Sequence, residues 1–175
     1  MPLHIIVDGY NAIRQSPGMR QLDRQDLQTG REALVDNLAA YKRLKGHKIT
    51  VVFDGNETAA LLDNRDREKG ILMRFSRQGE TADAVIKRMA AREKQKALVV
   101  SSDREVADFC AAQGSAVIGA ADFDEKMALA ALMDMKGAFP GPEEDTEWAG
   151  TTRKKGPSKR LPKKVRLNRK KLKKL

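Results

Sequence analysis

Three short apolar segments of this chain each run into an aspartate. Leu3-His4-Ile5-Ile6-Val7 is followed by Asp8, Ile49-Thr50-Val51-Val52-Phe53 by Asp54, and Leu98-Val99-Val100-Ser101-Ser102 by Asp103. A fourth acid, Asp83, follows Gly79-Glu80-Thr81 at the start of a helical stretch. Carboxylates crowded together repel, and they cannot all stay ionised without a cation among them. Hard oxygen ligands of this kind select Mg²⁺ or Mn²⁺. Such an ion orients a phosphate and activates a water. The competing account is structural. Asp before Gly is a common turn, and Asp in a helix's first turn favours the helix dipole. That account suffices for any one of these acids, but less well for four on one edge.

Other residues near these acids have two readings each. Asn11, three residues after Asp8, either holds a metal-bound water or phosphate oxygen or is a turn or cap residue. Asp54 and Glu80 are further candidate ligands; the alternatives are a turn at Asp54-Gly55 and a solvated loop acid at Glu80. Arg104 is placed to meet a phosphate or to form a surface ion pair. Ser102 and Glu105 fit a capping box. Arg31, Glu32 and Asp36 share a helix and read as its exposed face. Tyr10 either stacks on a base or packs. Cys110, the single cysteine, reads as core, which excludes a disulfide framework and a cysteine-based zinc site. Only His4 and His47 are available for imidazole ligation.

The elements that must position these acids alternate in type. Strands are expected at 3–7, 48–53, 71–75, 97–101 and 115–118. Helices are expected at 25–44, 81–94, 102–113 and 122–135, with a loop at 56–70. Alternation implies βαβ crossovers and a mostly parallel sheet, and continuous apolar strands imply cover on both faces. In such a sheet the carboxyl edges of the strands lie together and ligands bind there. The three strand-end acids and Asp83 are therefore expected at one crevice.

Charge divides the chain. Lys and Arg number 34 against 24 Asp and Glu, a net +10. Residues 151–175 hold 13 of the bases and no acid, which leaves 21 bases against 24 acids, or −3, in residues 1–150. Gly137, Pro140, Gly141 and Pro142 suggest a domain over 1–138, a linker over 139–150 and a basic tail over 151–175. The tail has too little apolar content for a core of its own and is expected to be disordered when free. Its Lys154, Lys155, Lys159, Arg160 and Lys163 are candidate phosphate contacts, as are Lys164, Arg166, Arg169, Lys170 and Lys171. The alternative is a merely solvated terminus. No apolar run approaches the length of a membrane span, and no secretory signal pattern is present, so no membrane partner and a cytoplasmic location are expected.

Taken in order, Val7-Asp8-Gly9-Tyr10-Asn11, Val51-Val52-Phe53-Asp54, Gly79-Glu80-Thr81-Ala82-Asp83 and Val99-Val100-Ser101-Ser102-Asp103-Arg104 resemble the YacP-like branch of the NYN-domain proteins, relatives of the PIN-domain nucleases. The resemblance covers roughly residues 3–135 and leaves out the tail. It implies a PIN-like three-layer α/β/α fold and metal-dependent cleavage of RNA, leaving a 5′-phosphate and a 3′-hydroxyl. For a bacterial branch it implies messenger RNA cleavage on the ribosome. Carried over by motif, Asp8, Asp83 and Asp103 are the metal-binding acids, Asn11 assists, and Asp54 matches the family's strand-end acid. The rival reading is a non-catalytic RNA- or ribosome-binding protein with structural acids. A nucleotide-binding or phosphatase-type enzyme is disfavoured by the lack of a Gly-rich phosphate loop and of D-x-D after the first strand.

Overall fold

β-branched residues fill the segments that pair into the sheet. The computed structural model describes residues 3–55, 65–135 and 163–175. Its strands are β1 (His4–Asp8), β2 (Lys48–Phe53), β3 (Arg65–Glu68), β4 (Ile71–Phe75), β5 (Ala97–Val100) and β6 (Ala116–Ile118). They lie in the order β3-β4-β2-β1-β5-β6, and every pair is parallel except β3 with β4. The first strand is central: Val7 is in register with Val51 of β2 and Val100 of β5.

The helices are α1 (Gly9–Gln15), α2 (Pro17–Gln25), α3 (Leu27–Lys45), α4 (Ala82–Glu93), α5 (Arg104–Ala112), α6 (Ala120–Met135) and α7 (Lys163–Leu172). Alternate residues of a strand enter different cores, as the pleat requires. Ile5 and Val7 pack with Ile13, Leu34, Leu38 and Phe123 of α1, α3 and α6. Ile6 and Val99 pack with Val85, Ile86, Val106 and Cys110 of α4 and α5. This is the expected helix–sheet–helix layering, with Cys110 buried as a core residue. Asp26 caps α3 through the Thr29 amide at 2.9 Å, and Gly46 ends that helix in the left-handed region at φ 69°.

Several expectations are corrected. Residues 9–24, for which the sequence predicts no element, form α1 and all but the last residue of α2. Helices of seven and nine residues present too few apolar positions to show a period, and α2 buries only Met19. The expected loop at 56–70 contains β3, whose Arg-Asp-Arg-Glu sequence suits a charged edge strand that discourages further pairing. Asp103, not Ser102, is the N-cap of α5; Ser102 Oγ instead accepts the first amide of α6, Ala120 N, at 3.0 Å. The tail is not disordered over 163–175. Leu172 packs against the larger core, Leu175 is buried, and Tyr41 Oη donates to the Leu175 carbonyl at 2.7 Å. The Lys174 carbonyl lies 3.1 Å from His47 Nε2. The apolar residues interleaved with the bases anchor the segment. The expected linker, Lys154, Lys155, Lys159 and Arg160 lie outside the described residues.

Tyr41→Phe removes the side-chain donor to the buried Leu175 carbonyl and is expected to cost about 1 kcal/mol. Urea unfolding measures the loss. Hydrogen exchange should quicken in α7 and stay unchanged in β1 and β5; uniform quickening would show that α7 is no separate unit.

Candidate active site

The register of the sheet brings the strand-end acids together. Asp8 pairs with Val52, so Asp54 lies two residues further along the adjoining strand. Asp103 lies three residues past Val100 on the other neighbour of β1. Asp54 therefore sits at the end of the strand next to the central one. Asp83 enters from the first turn of α4, which packs across β1, β2 and β5.

Each strand-end acid is also tied to the backbone. Asp8 Oδ1 accepts the Asn11 amide at 3.3 Å and caps α1, while its Oδ2 accepts the Ser101 hydroxyl at 3.3 Å. Asp54 Oδ1 accepts Ala82 N, the first amide of α4, at 2.6 Å. Asp103 Oδ1 accepts Val106 N at 3.0 Å and caps α5. Asn11 Oδ1 accepts Ser102 N at 2.9 Å, which pins the β5–α5 turn to α1. Capping thus accounts for part of each carboxylate's bonding capacity and leaves lone pairs for a second partner. Gly9 allows the close approach behind Asp8, because a Cβ there would lie 2.3 Å from the Phe53 ring.

Exposure falls from Asp103 and Asp54 at the surface, through half-buried Asp83, to Asp8 at 8%. Burial pushes the Asp8 carboxyl up to about 6; the Asn11 amide opposes the shift, and the charges of Asp83 and Asp54 add to it. Asp83 is raised by burial and then by Asp103, with Lys87 opposing. Lys87 bonds Glu105 and is further held charged by Asp83 and Asp103. The charges of the neighbouring acids therefore add to the rise of Asp8 and Asp83. Their all-oxygen donor set fits Mg²⁺ or Mn²⁺ in chemistry and charge. Among the described residues, no three His, Cys, Asp or Glu side chains close into a ready-made cage.

The other candidates divide. Glu80 stands apart, bonded to Arg88, which holds its carboxyl below the usual range. Arg104 is exposed at the first position of α5. Tyr10 packs edge-on against Phe53 at 5.3 Å and accepts from Arg31 Nε at 3.0 Å. Arg31 is not on an exposed face. Its guanidinium lies 5.4–5.6 Å from the Tyr10, Phe53 and Phe75 rings, while Glu32 and Asp36 are exposed as expected. Those rings come from three distant segments, so helical spacing could not find them. Sequence reasoning also passed over Asp122, an exposed acid in the first turn of α6. A Cβ on Gly119 would lie 3.4 Å from Asp122 Oδ2 and 3.7 Å from Ser102 Oγ, which places Asp122 beside the β5–α5 turn. Its first-turn position, like that of Asp83, was the available signal. Lys163, Arg166, Arg169, Lys170 and Lys171 ride on α7. Lys170 and Lys171 meet His4 and Lys48 at the amino edge of the sheet, away from the acids.

Because the native Asp8 carboxyl titrates near 6 and the unfolded one near 3.8, the folded state binds the extra proton between these values. Stability in EDTA should therefore fall as pH rises from about 4 to 6, and stay lowered above. Asp8→Asn keeps a capping oxygen and should stabilise the fold at pH 7 by about 2–3 kcal/mol while flattening that slope. Parallel pH profiles for the two proteins would refute the shift.

The YacP-like NYN domain family matches residues 5–174, so α7 lies inside the match, contrary to the narrower resemblance. The uncharacterized protein YacP of Bacillus subtilis (strain 168) is 29% identical over 86 residues, 49% of this chain. That match spans half the length of the relative, 50%. The crystal structure of Rae1 (YacP) from Bacillus subtilis superposes with a TM-score of 0.64 at 25% identity, covering 78% of this chain and 79% of that one. The structure of a point mutant of that protein gives 0.63 at 23% identity, covering 77% and 80%, a likeness of fold. Since the family match spans nearly the whole sequence, the chain belongs to the YacP-like NYN domain family, a family of PIN-like nucleases.

Proposed function

We propose that this chain is a metal-dependent endoribonuclease acting on single-stranded RNA. Asp8, Asp83 and Asp103 are the ligands of Mg²⁺ or Mn²⁺ in this reading, with Asp54 beside them. The observation that carries it is the group of acids at one sheet edge, with Asp8 and Asp83 both pressed toward protonation. When bound, the cation neutralises charge at the scissile phosphate and lowers the pKa of the attacking water. The Ser101 hydroxyl and the Asn11 amide fix the Asp8 carboxylate from two sides. Asn11 spends its Oδ1 on Ser102 N, which leaves Nδ2 to donate to a phosphate oxygen. Arg104, exposed beside Asp103, supplies a further phosphate contact in this scheme. The bases of the tail hold RNA by its backbone, and RNA engaged on a ribosome in the cytoplasm is the setting we assign to it.

One observation favours a second reading, a non-catalytic RNA-binding protein. Asp8, Asp54 and Asp103 each accept a helix amide and so have a structural use without any metal.

A labelled RNA oligonucleotide incubated with the full chain should be cut in Mn²⁺ or Mg²⁺ and stay intact in EDTA. The products should carry 5′-phosphates and 3′-hydroxyls. Asp8→Asn or Asp103→Asn should lower the rate by a factor on the order of 10³ or more. Undiminished cleavage by the purified double variant would sink the catalytic assignment. No cleavage by the wild type, with RNA affinity retained, would favour the binding protein.

A further inference from the structure

Residues 1–150 are net negative, yet two adjoining recesses of the domain are lined by many basic side chains. A groove of about 830 Å³ runs along α4 beside the end of β4, lined by Arg74, Arg77, Arg88 and Arg92, with Glu80 the one acid among the described residues that line it. A second recess of about 720 Å³ joins Lys48, Arg92 and Lys96 to Lys170, Lys171 and Lys174, with Glu93 the one acid among its described lining residues. Arg92 lines both, so the two meet. The two acids are occupied: Glu80 bonds Arg88, and Glu93 bonds His4. Burial lowers the His4 pKa, so that ring is not a further charge at neutral pH.

The ends of this path matter as much as its charge. At one end lie Gly79, Glu80 and Thr81, and Thr81 caps the helix whose first turn carries Asp83 and whose first amide is held by Asp54. At the other end is α7, at the amino edge of the sheet. Between them Arg88 and Arg92 stand i,i+4 on one helix face, above Val85 and Met89. The 12 residues of α4 span about 18 Å, so the path is long and narrow. Of the guanidinium groups along this path, those of Arg77 and Arg92 suit successive phosphates, since a guanidinium can take two oxygens at once.

We propose that the α4 groove and the adjoining face of α7 form one continuous track for the phosphate backbone of single-stranded RNA, leading from the tail helix to the acids. The identity of the ligand rests on the RNA reading above. The track also gives α7 a specific place along the strand, where a free tail would have none.

The test uses the full chain, a fluorescein-labelled oligouridylate and anisotropy at several salt concentrations, with EDTA present to prevent cleavage. Arg77→Gln/Arg92→Gln alters the α4 groove, and Lys170→Gln/Lys174→Gln alters the tail end of the track. Arg24→Gln/Arg43→Gln removes the same charge from α2 and α3, outside both recesses. Each phosphate contact on a single strand contributes about 0.7 to the slope of log affinity against log salt. Each track pair should therefore flatten the slope by about 1.4, the four together by about 2.8, and the control pair should leave it unchanged. Equal flattening by all three pairs would reduce the track to a net-charge effect, and flattening by the α7 pair alone would remove the groove from it. Polyglutamate binding with the same dependence, in place of RNA, would reassign the surface to acidic protein. A chain that obeys the slopes yet never cuts RNA keeps the track and loses the nuclease reading. One that cuts RNA with unaltered slopes does the reverse.

Discussion

Asp8 ends the central strand and begins the first helix, and the carboxylate that makes this turn is also the one most deprived of water. Its position is not adjustable. The ladder to β2 and β5 fixes the strand, the Phe53 ring closes against Gly9, and the Ser101 hydroxyl and Asn11 amide hold the two oxygens. The neighbouring acids repeat the arrangement on either side, with Asp54 on the first amide of α4 and Asp103 on the cap of α5. A parallel sheet must turn its chain into a helix at the same edge each time, and an aspartate is an efficient residue for that turn.

The consequence is a local excess of negative charge that folding alone does not relieve. The amino ends of α1, α4 and α5 offset part of it through their unpaired N–H groups. Lys87 offsets another part from the side of α4. Enough remains that burial and mutual repulsion raise both Asp8 and Asp83. Capping and the proposed metal binding are therefore compatible uses of these acids. The capped geometry holds the carboxylates at separations they would not choose in water, and a cation is the natural partner for what is left over. Selection for turns alone would be satisfied by Ser, Thr or Asn, which cap as well and carry no charge.

The sequence revealed these acids because they break apolar runs, and a run that stops at Asp is visible without knowing its neighbours. The α/β alternation was legible for the same reason. What stayed hidden depends on partners distant in the chain. Arg31 has helical spacing suited to a surface position, yet it lies among rings from residues 10, 53 and 75. The bases of 163–175 dominate that segment's composition, so the few leucines that dock it carried no weight until Tyr41 and His47 were seen beside them. The four residues of β3 have no apolar pattern at all and pair only because β4 offers an open edge. Asp122 was missed for a different reason: no apolar strand of any length precedes it, since β6 has three residues.

The docking of α7 changes what its charge can do. A free basic arm samples many directions, and each contact it makes must overcome the entropy of ordering it. With Leu172 and Leu175 held against the domain, Lys170 and Lys174 are presented from a fixed position, and the ordering cost falls on folding instead of on binding. The domain then has two charged ends of opposite sign, acids at the carboxyl edge of the sheet and bases at its amino edge, with the arginines of α4 between them. A polyanion approaching such a surface is drawn first to the basic end and repelled by the acids until a cation neutralises them. In the proposed reading, the same charge distribution that attracts a strand makes its final placement depend on the metal.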